Sequence, residues 1–132
     1  MRHNRTTTAL LLICCVMALS LPLNALSAQL SSAQKEEIEH LLSYMEQSGC
    51  QFCRNGTWYD DTKKVRSHVE LKYNYFMKKG QINSTEDFIK WSASKSEMSG
   101  KPYLVKRGNE PPMLLSQWLL EELERYRKTR NS

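Results

Sequence analysis

An apolar run from Ala9 to Leu19, interrupted only by Cys14 and Cys15 and preceded by Arg2 and Arg5, constrains this chain most. The run is shorter than the roughly 20 apolar residues that cross a bilayer, and Pro22 and the small-residue stretch Ala25-Leu26-Ser27-Ala28 follow it. That order of charge, apolar core and small residues reads as a cleavable signal peptide over residues 1–28, with cleavage after Ser27 or Ala28. A lipoprotein leader would need small residues just before an acylated cysteine, whereas Leu12 and Ile13 precede Cys14. Residues 29–132 are then left for a single small domain without a transmembrane segment, too short for a two-domain enzyme or a barrel. An exported chain of this kind is expected in the periplasm.

Removing the leader takes two arginines and no acid, so a formal charge of +5 falls to +3. The excess gathers in Arg125-Tyr126-Arg127-Lys128-Thr129-Arg130, where cations suit the negative end of a helix dipole. No basic stripe interleaved with aromatics is present, and nucleic acid is not an expected partner.

The rest of the chain alternates helical and extended signals. Ser31 and Gln34 form a capping-box pattern, and Ile38, Leu41, Leu42 and Met45 recur at helical spacing until Gly49. Asn55-Gly56 lies between Phe52 and Trp58-Tyr59, which predicts a tight hairpin because both central positions of a type I′ turn need positive φ. Asp60 or Asp61 caps a second helix with a buried stripe of Val65, Val69, Tyr73 and Phe76, closing at Gly80. A third, shorter helix starts at Ser84 or Thr85 and buries Phe88, Ile89 and Trp91. Extended pieces at Pro102–Lys106 and Pro112–Leu115 flank a turn at Gly108-Asn109-Glu110, and Ser116 caps a last helix with Trp118, Leu119, Leu123 and Tyr126 inward. The expected fold is α+β, about four helices packed with two short β-hairpins.

Few residues could carry chemistry. Once the leader is lost the only cysteines are Cys50 and Cys53, and in an oxidising compartment a disulfide between them is the simplest expectation. Thiol–disulfide exchange would place the first cysteine at a helix N-terminus, whereas this pair follows a helix end. With His40 and His68 the pair fits no familiar zinc spacing, so no metal site is expected, and no cofactor motif is present. His68 shares a helix face with Lys72 at i,i+4, beside the buried stripe, where either side chain could reach a cleft rim or simply edge the core. Ser92-Ala93-Ser94-Lys95 has Ser-x-x-Lys spacing without the length or further motifs of acyl enzymes. Ser99-Gly100-Lys101-Pro102 lacks the upstream glycine of a phosphate loop, and Pro102 removes a needed donor.

The stretches Phe52-Cys53-Arg54-Asn55-Gly56, His68 with Lys72, Glu86-Asp87-Phe88-Ile89, and Ala93 to Val105 together resemble a bacterial family of small exported proteins known only as a domain of unknown function. The resemblance covers roughly Glu36 to Tyr126, and the serine-to-Pro-Tyr stretch is its most specific part. It implies a Gram-negative, periplasmic protein and supplies no activity. Members carry Phe-x-Arg-Asn-Gly without always having both cysteines, which makes the pair a local staple in this reading.

The resemblance picks out Arg54, Asn55, His68, Lys72, Ser94, Ser96, Lys101 and Tyr103. If the first hairpin, the edge of the second helix and the serine loop meet, these side chains form one cleft. The first expectation is a non-enzymatic binding or accessory protein for a polar or anionic envelope component, with Arg54, Lys72 and Lys101 supplying charge. One alternative is a hydrolase or transferase using His68 as base with Ser94 or Ser96 as nucleophile. Another is a structural module that binds a protein partner.

Overall fold

The computed structural model describes residues 29–132; the expected leader, residues 1–28, lies outside the described residues. The elements run α1 (Ser32–Gln47), β1 (Gln51–Arg54), β2 (Thr57–Tyr59), α2 (Thr62–Lys78), α3 (Thr85–Ser92), β3 (Leu104–Lys106), β4 (Met113–Leu114) and α4 (Leu115–Arg130). The fold is α+β, with four helices and two hairpins. The hairpins are not separate: β1 also pairs antiparallel with β3, giving one four-stranded sheet in the order β2-β1-β3-β4.

Local chemistry sets most of the boundaries. Ser31 Oγ accepts from the Gln34 amide at 3.1 Å and Gln34 Oε1 accepts from the Ser31 amide at 2.9 Å, so the capping box opens α1. Asp61 caps α2 and Ser84 caps α3 by a single bond each, their side chains accepting from the Lys64 and Asp87 amides. Asn55 at φ +51° and Gly56 at φ +81° form the two-residue turn between β1 and β2, which fixes Phe52 opposite Tyr59. The start of α4 differs from expectation. Leu114, not Ser116, is its N-cap and gives no side-chain bond; instead the Leu115 amide donates to the Tyr103 carbonyl at 3.0 Å. Strand pairing and the burial of Leu115 place this helix start, so a backbone acceptor satisfies a donor that a hydroxyl would otherwise serve.

One face of the sheet and the inner stripes of all four helices share a core of Leu41, Met45, Phe52, Val69, Phe88, Val105, Leu119 and Leu123, among others. Two arginines tie the helices at its margin. Arg66 on α2 reaches Glu39 and Glu46 on α1 and Glu70 on its own helix, while Arg127 on α4 reaches Glu37 on α1 and Glu86 on α3. No helix among the described residues is long and apolar enough to cross a membrane.

The expected bond between Cys50 and Cys53 is not present in this structure. Cys50 and Cys53 are free, buried thiols. Cys50 lies in the core beside Phe52, whereas Cys53 stands opposite Trp58 and Leu104 in the ladders and so shares their face of the sheet. At about 3.3 Å per strand residue, three steps separate the two Cα atoms by roughly 10 Å, beyond the ~7 Å that a bridge can span. Sequence spacing alone did not reveal that the pair enters a strand with its members on opposite faces.

Candidate functional site

The α2 stripe that buries Val69 sets the register of its neighbours: His68 and Lys72, one turn apart, line the edge facing the sheet. From the sheet, β1 ends at Arg54, which shares the inward face of Phe52, and Tyr103 precedes β3 on the inward face of Val105. Four of the eight expected site residues therefore converge. Arg54 Nη1 lies 3.1 Å from His68 Nδ1, His68 Nε2 lies 3.3 Å from Tyr103 Oη, and Lys72 Nζ lies 3.2 Å from the same Tyr103 Oη.

Arginine and lysine only donate, so Lys72 donates to Tyr103 Oη and Arg54 donates to an imidazole nitrogen, Nδ1 at 3.1 Å or Nε2 at 3.2 Å. With the ring proton on Nε2 the phenol accepts from His68 and keeps its own O–H for another acceptor; with the ring proton on Nδ1 the phenol donates to Nε2. Burial holds the His68 pKa below its ordinary value, and the positive charges of Arg54 and Lys72 lower it further, so the imidazole is neutral at pH 7. Burial likewise lowers the Lys72 pKa, although the Glu97 carboxylate at 3.7 Å opposes the shift. Burial raises the Tyr103 pKa and keeps the phenol protonated.

Beside this cluster is a cavity of about 180 Å³. Phe52, Tyr59, Val65, Val69 and Leu115 form its apolar walls, and Arg54, His68 and Tyr103 form its polar end. Arg54, half-buried, has no carboxylate partner among the described residues; Arg107 and Arg130 have none either but are exposed, whereas Arg66, Arg125 and Arg127 each have at least one. A guanidinium that faces a neutral imidazole and borders an apolar hollow has donors left for an anion.

The other four expected residues do different work. Asn55 makes the tight turn, and its Oδ1 accepts from Ser99 Oγ, joining the first hairpin to the serine loop. Ser94 Oγ donates to the Ile89 carbonyl at 2.8 Å, ending α3, while its own carbonyl accepts from the Tyr103 amide. Ser96 is buried and organises the loop: its amide donates to the Lys101 carbonyl, and its carbonyl and Oγ accept from the Gly100 and Ser99 amides. Lys101 is exposed and serves the loop through its backbone. Neither Ser94 nor Ser96 bonds to His68, whose ring nitrogens face Arg54 and Tyr103.

Sequence reasoning missed the walls and the counter-charge. Tyr59 could have been found, because a two-residue turn at Asn55-Gly56 forces it opposite Phe52. Leu115 carried no such signal; β3–β4 pairing brings it there. Glu97 lies inside the serine loop, and only that loop's path over α2 sets it beside Lys72. Among the described residues no group of three or more His, Cys, Asp or Glu side chains could hold a metal ion.

Neither the curated proteins nor the solved structures provide a match to this sequence. The pattern of a family described as a family of unknown function (DUF5329) matches residues 32–127, a span that includes every element from α1 to nearly the end of α4. On that match the chain belongs to this family of unknown function.

Proposed function

We propose that this chain is an exported, periplasmic binding protein whose cleft between β1, α2 and Tyr103 takes an anion. The observation that carries the reading is Arg54, a guanidinium without a carboxylate partner among the described residues, set at the polar end of an apolar-walled cavity with Lys72 and the Tyr103 hydroxyl behind it. Removing such a group from bulk water is unfavourable unless an acceptor compensates, and a bound anion would complete it. Catalysis through a serine is less well supported, because the hydroxyls of Ser94 and Ser96 serve the backbone of their own loop. The leader reading of residues 1–28 supports the periplasmic location.

The test begins with the full-length sequence expressed in a Gram-negative host, followed by the N-terminal sequence of the periplasmic product. A product starting near Ala28 or Gln29 supports export, and an intact chain retained in the cytoplasm overturns it. On the isolated protein, titration with acetate, benzoate, inorganic phosphate and phenyl phosphate should shift backbone NMR signals around Arg54, His68 and Tyr103. Arg54→Gln should abolish those shifts. If no anion perturbs this set, the binding reading fails.

A further inference from the structure

Building on the anion-binding reading, we infer that the cleft selects a monocarboxylate with a compact apolar body, and not a phosphate or a fully polar anion.

Charge is the first ground. A cationic Arg54 with a neutral His68 and a neutral Tyr103 lines the polar end, and behind Tyr103 stands the cationic Lys72, 3.7 Å from the Glu97 carboxylate. Their formal sum is one positive charge. A singly charged ligand neutralises it, whereas a phosphate ester near its dianionic form would bring an excess negative charge into a partly desolvated site. The exposed Lys64 at the rim already stands near Asp61, so it adds little to the balance inside.

Donor geometry is the second ground. A carboxylate has one plane and two oxygens, the shape a guanidinium fork meets in a bidentate pair. Arg54 gives one N–H to His68 and retains others, and in the tautomer with the ring proton on Nε2 the Tyr103 O–H is a further, neutral donor at this end. Two or three donors from one side suit a carboxylate. A phosphoryl group presents oxygens in three directions, and on its far side this cleft offers hydrocarbon.

The walls are the third ground. Phe52, Tyr59, Val65, Val69 and Leu115 surround the rest of the hollow, so an occupant must bury carbon there; sulfate or inorganic phosphate would leave that surface unfilled. A volume of about 180 Å³ lies below the ~300 Å³ lower end of drug-sized sites, which limits the body to a single ring or a short chain. Benzoate, phenylacetate and fatty acids of four to about eight carbons meet all three conditions.

The experiment compares matched probes on the periplasmic product of the full-length sequence, by calorimetry and backbone NMR: phenylacetate, benzyl alcohol, phenyl phosphate and acetate. Phenylacetate should bind at least 10-fold more tightly than each of the others and shift Arg54, Val65, Val69 and Leu115. Arg54→Gln should weaken it about 10-fold or more, and Arg54→Lys should restore only part. Because Arg54 also supports His68, a second variant, Val65→Trp, keeps the polar cluster and fills the hollow; it should abolish phenylacetate binding while acetate shifts at Arg54 persist. If phenyl phosphate binds as well as or better than phenylacetate at these residues, the carboxylate inference is overturned and anion binding stands. If benzyl alcohol matches phenylacetate, or no probe shifts these residues, both readings fall.

Discussion

The Arg54 guanidinium nitrogen Nη1 lies 3.1 Å from Nδ1 and 3.2 Å from Nε2 of His68, setting a permanent cation against a titratable ring. The contact is favourable only while the ring is neutral, because a protonated imidazole has no acceptor and repels the guanidinium. Burial is the larger cause of the lowered His68 pKa, and Arg54 and then Lys72 add to it.

His68 should therefore titrate below 6.5 in an NMR experiment on its ring protons. Arg54→Gln should move the midpoint upward without restoring the ordinary value, since burial persists. The linkage sign follows from the depressed folded pKa: the unfolded chain takes up the proton first. The contribution of His68 to stability is complete above about pH 6.5 and is lost as pH falls through the folded pKa. Urea unfolding of the His68→Gln variant should show a shallower loss between pH 6.5 and 5 than the parent; an equal slope would mean that His68 does not titrate differently on unfolding.

The cysteine finding is open to a direct chemical check. Unfolding in urea with an alkylating reagent and no reductant should leave the tryptic peptide Glu36–Arg54 carrying two alkyl groups, because the extended chain through β1 sets Cys53 and Cys50, the residue just before the strand, on opposite faces about 10 Å apart. The native protein should react slowly at both positions. An unalkylated peptide two hydrogens lighter would show that β1 opens to form the bridge, and the sheet register would need revision.

The sequence was most informative where one physical cause acts locally. Ser31 with Gln34 sets the start of α1, and Asn55-Gly56 sets a turn, because each rests on bonds or dihedrals within a few residues. The merger of the hairpins rests on β1 pairing with β3 across some fifty residues, and no short window of sequence records that. The site divides the same way. His68 and Lys72 announce a shared face by helical spacing, but their meeting with Arg54 and Tyr103 depends on that long-range pairing. Ser94 and Ser96 drew attention as hydroxyls, yet a loop must satisfy its own backbone first, and they do so.

Arg127 offers a stability test remote from the cleft. It donates to Glu37, which is only 5% exposed, and to the more open Glu86, thereby joining α1, α3 and α4. Arg127→Ala leaves the Glu37 carboxylate buried without its cation and should cost ~1–3 kcal/mol, below the range for a fully buried pair because Arg127 is itself 41% exposed. Adding Glu37→Met to that variant removes the stranded charge and should recover part of the loss. Urea midpoints of the two variants decide it; if the double variant is the weaker, the penalty lies in packing and not in the unpaired carboxylate.

Lys72 joins the cleft to its bordering loop, and replacing it separates local order from global stability. Its ammonium donates to the Lys95 carbonyl at 2.6 Å and to Tyr103 Oη, close to Glu97, with its side chain only 12% exposed. Burial lowers its pKa, so at pH 7 the native state holds this charge at a cost that the three acceptors offset. Lys72→Met removes cost and compensation together, and the urea midpoint should change by less than the equivalent of ~1 kcal/mol. The loop, however, loses its strongest link to α2. What remains is the turn from Ser96 to Lys101, the Lys95–Pro102 bridge with the Tyr103 amide on the Ser94 carbonyl, and the Ser99–Asn55 bond. Amide exchange at Ser96, Gly100 and Tyr103 should accelerate about 10-fold or more, roughly the worth of one charge-assisted hydrogen bond, while amides of α1 and α4 keep their protection. If Gly100 and Tyr103 stay protected, the turn and the Asn55 bond hold the loop unaided, and Lys72 is present for the charge it gives the cleft.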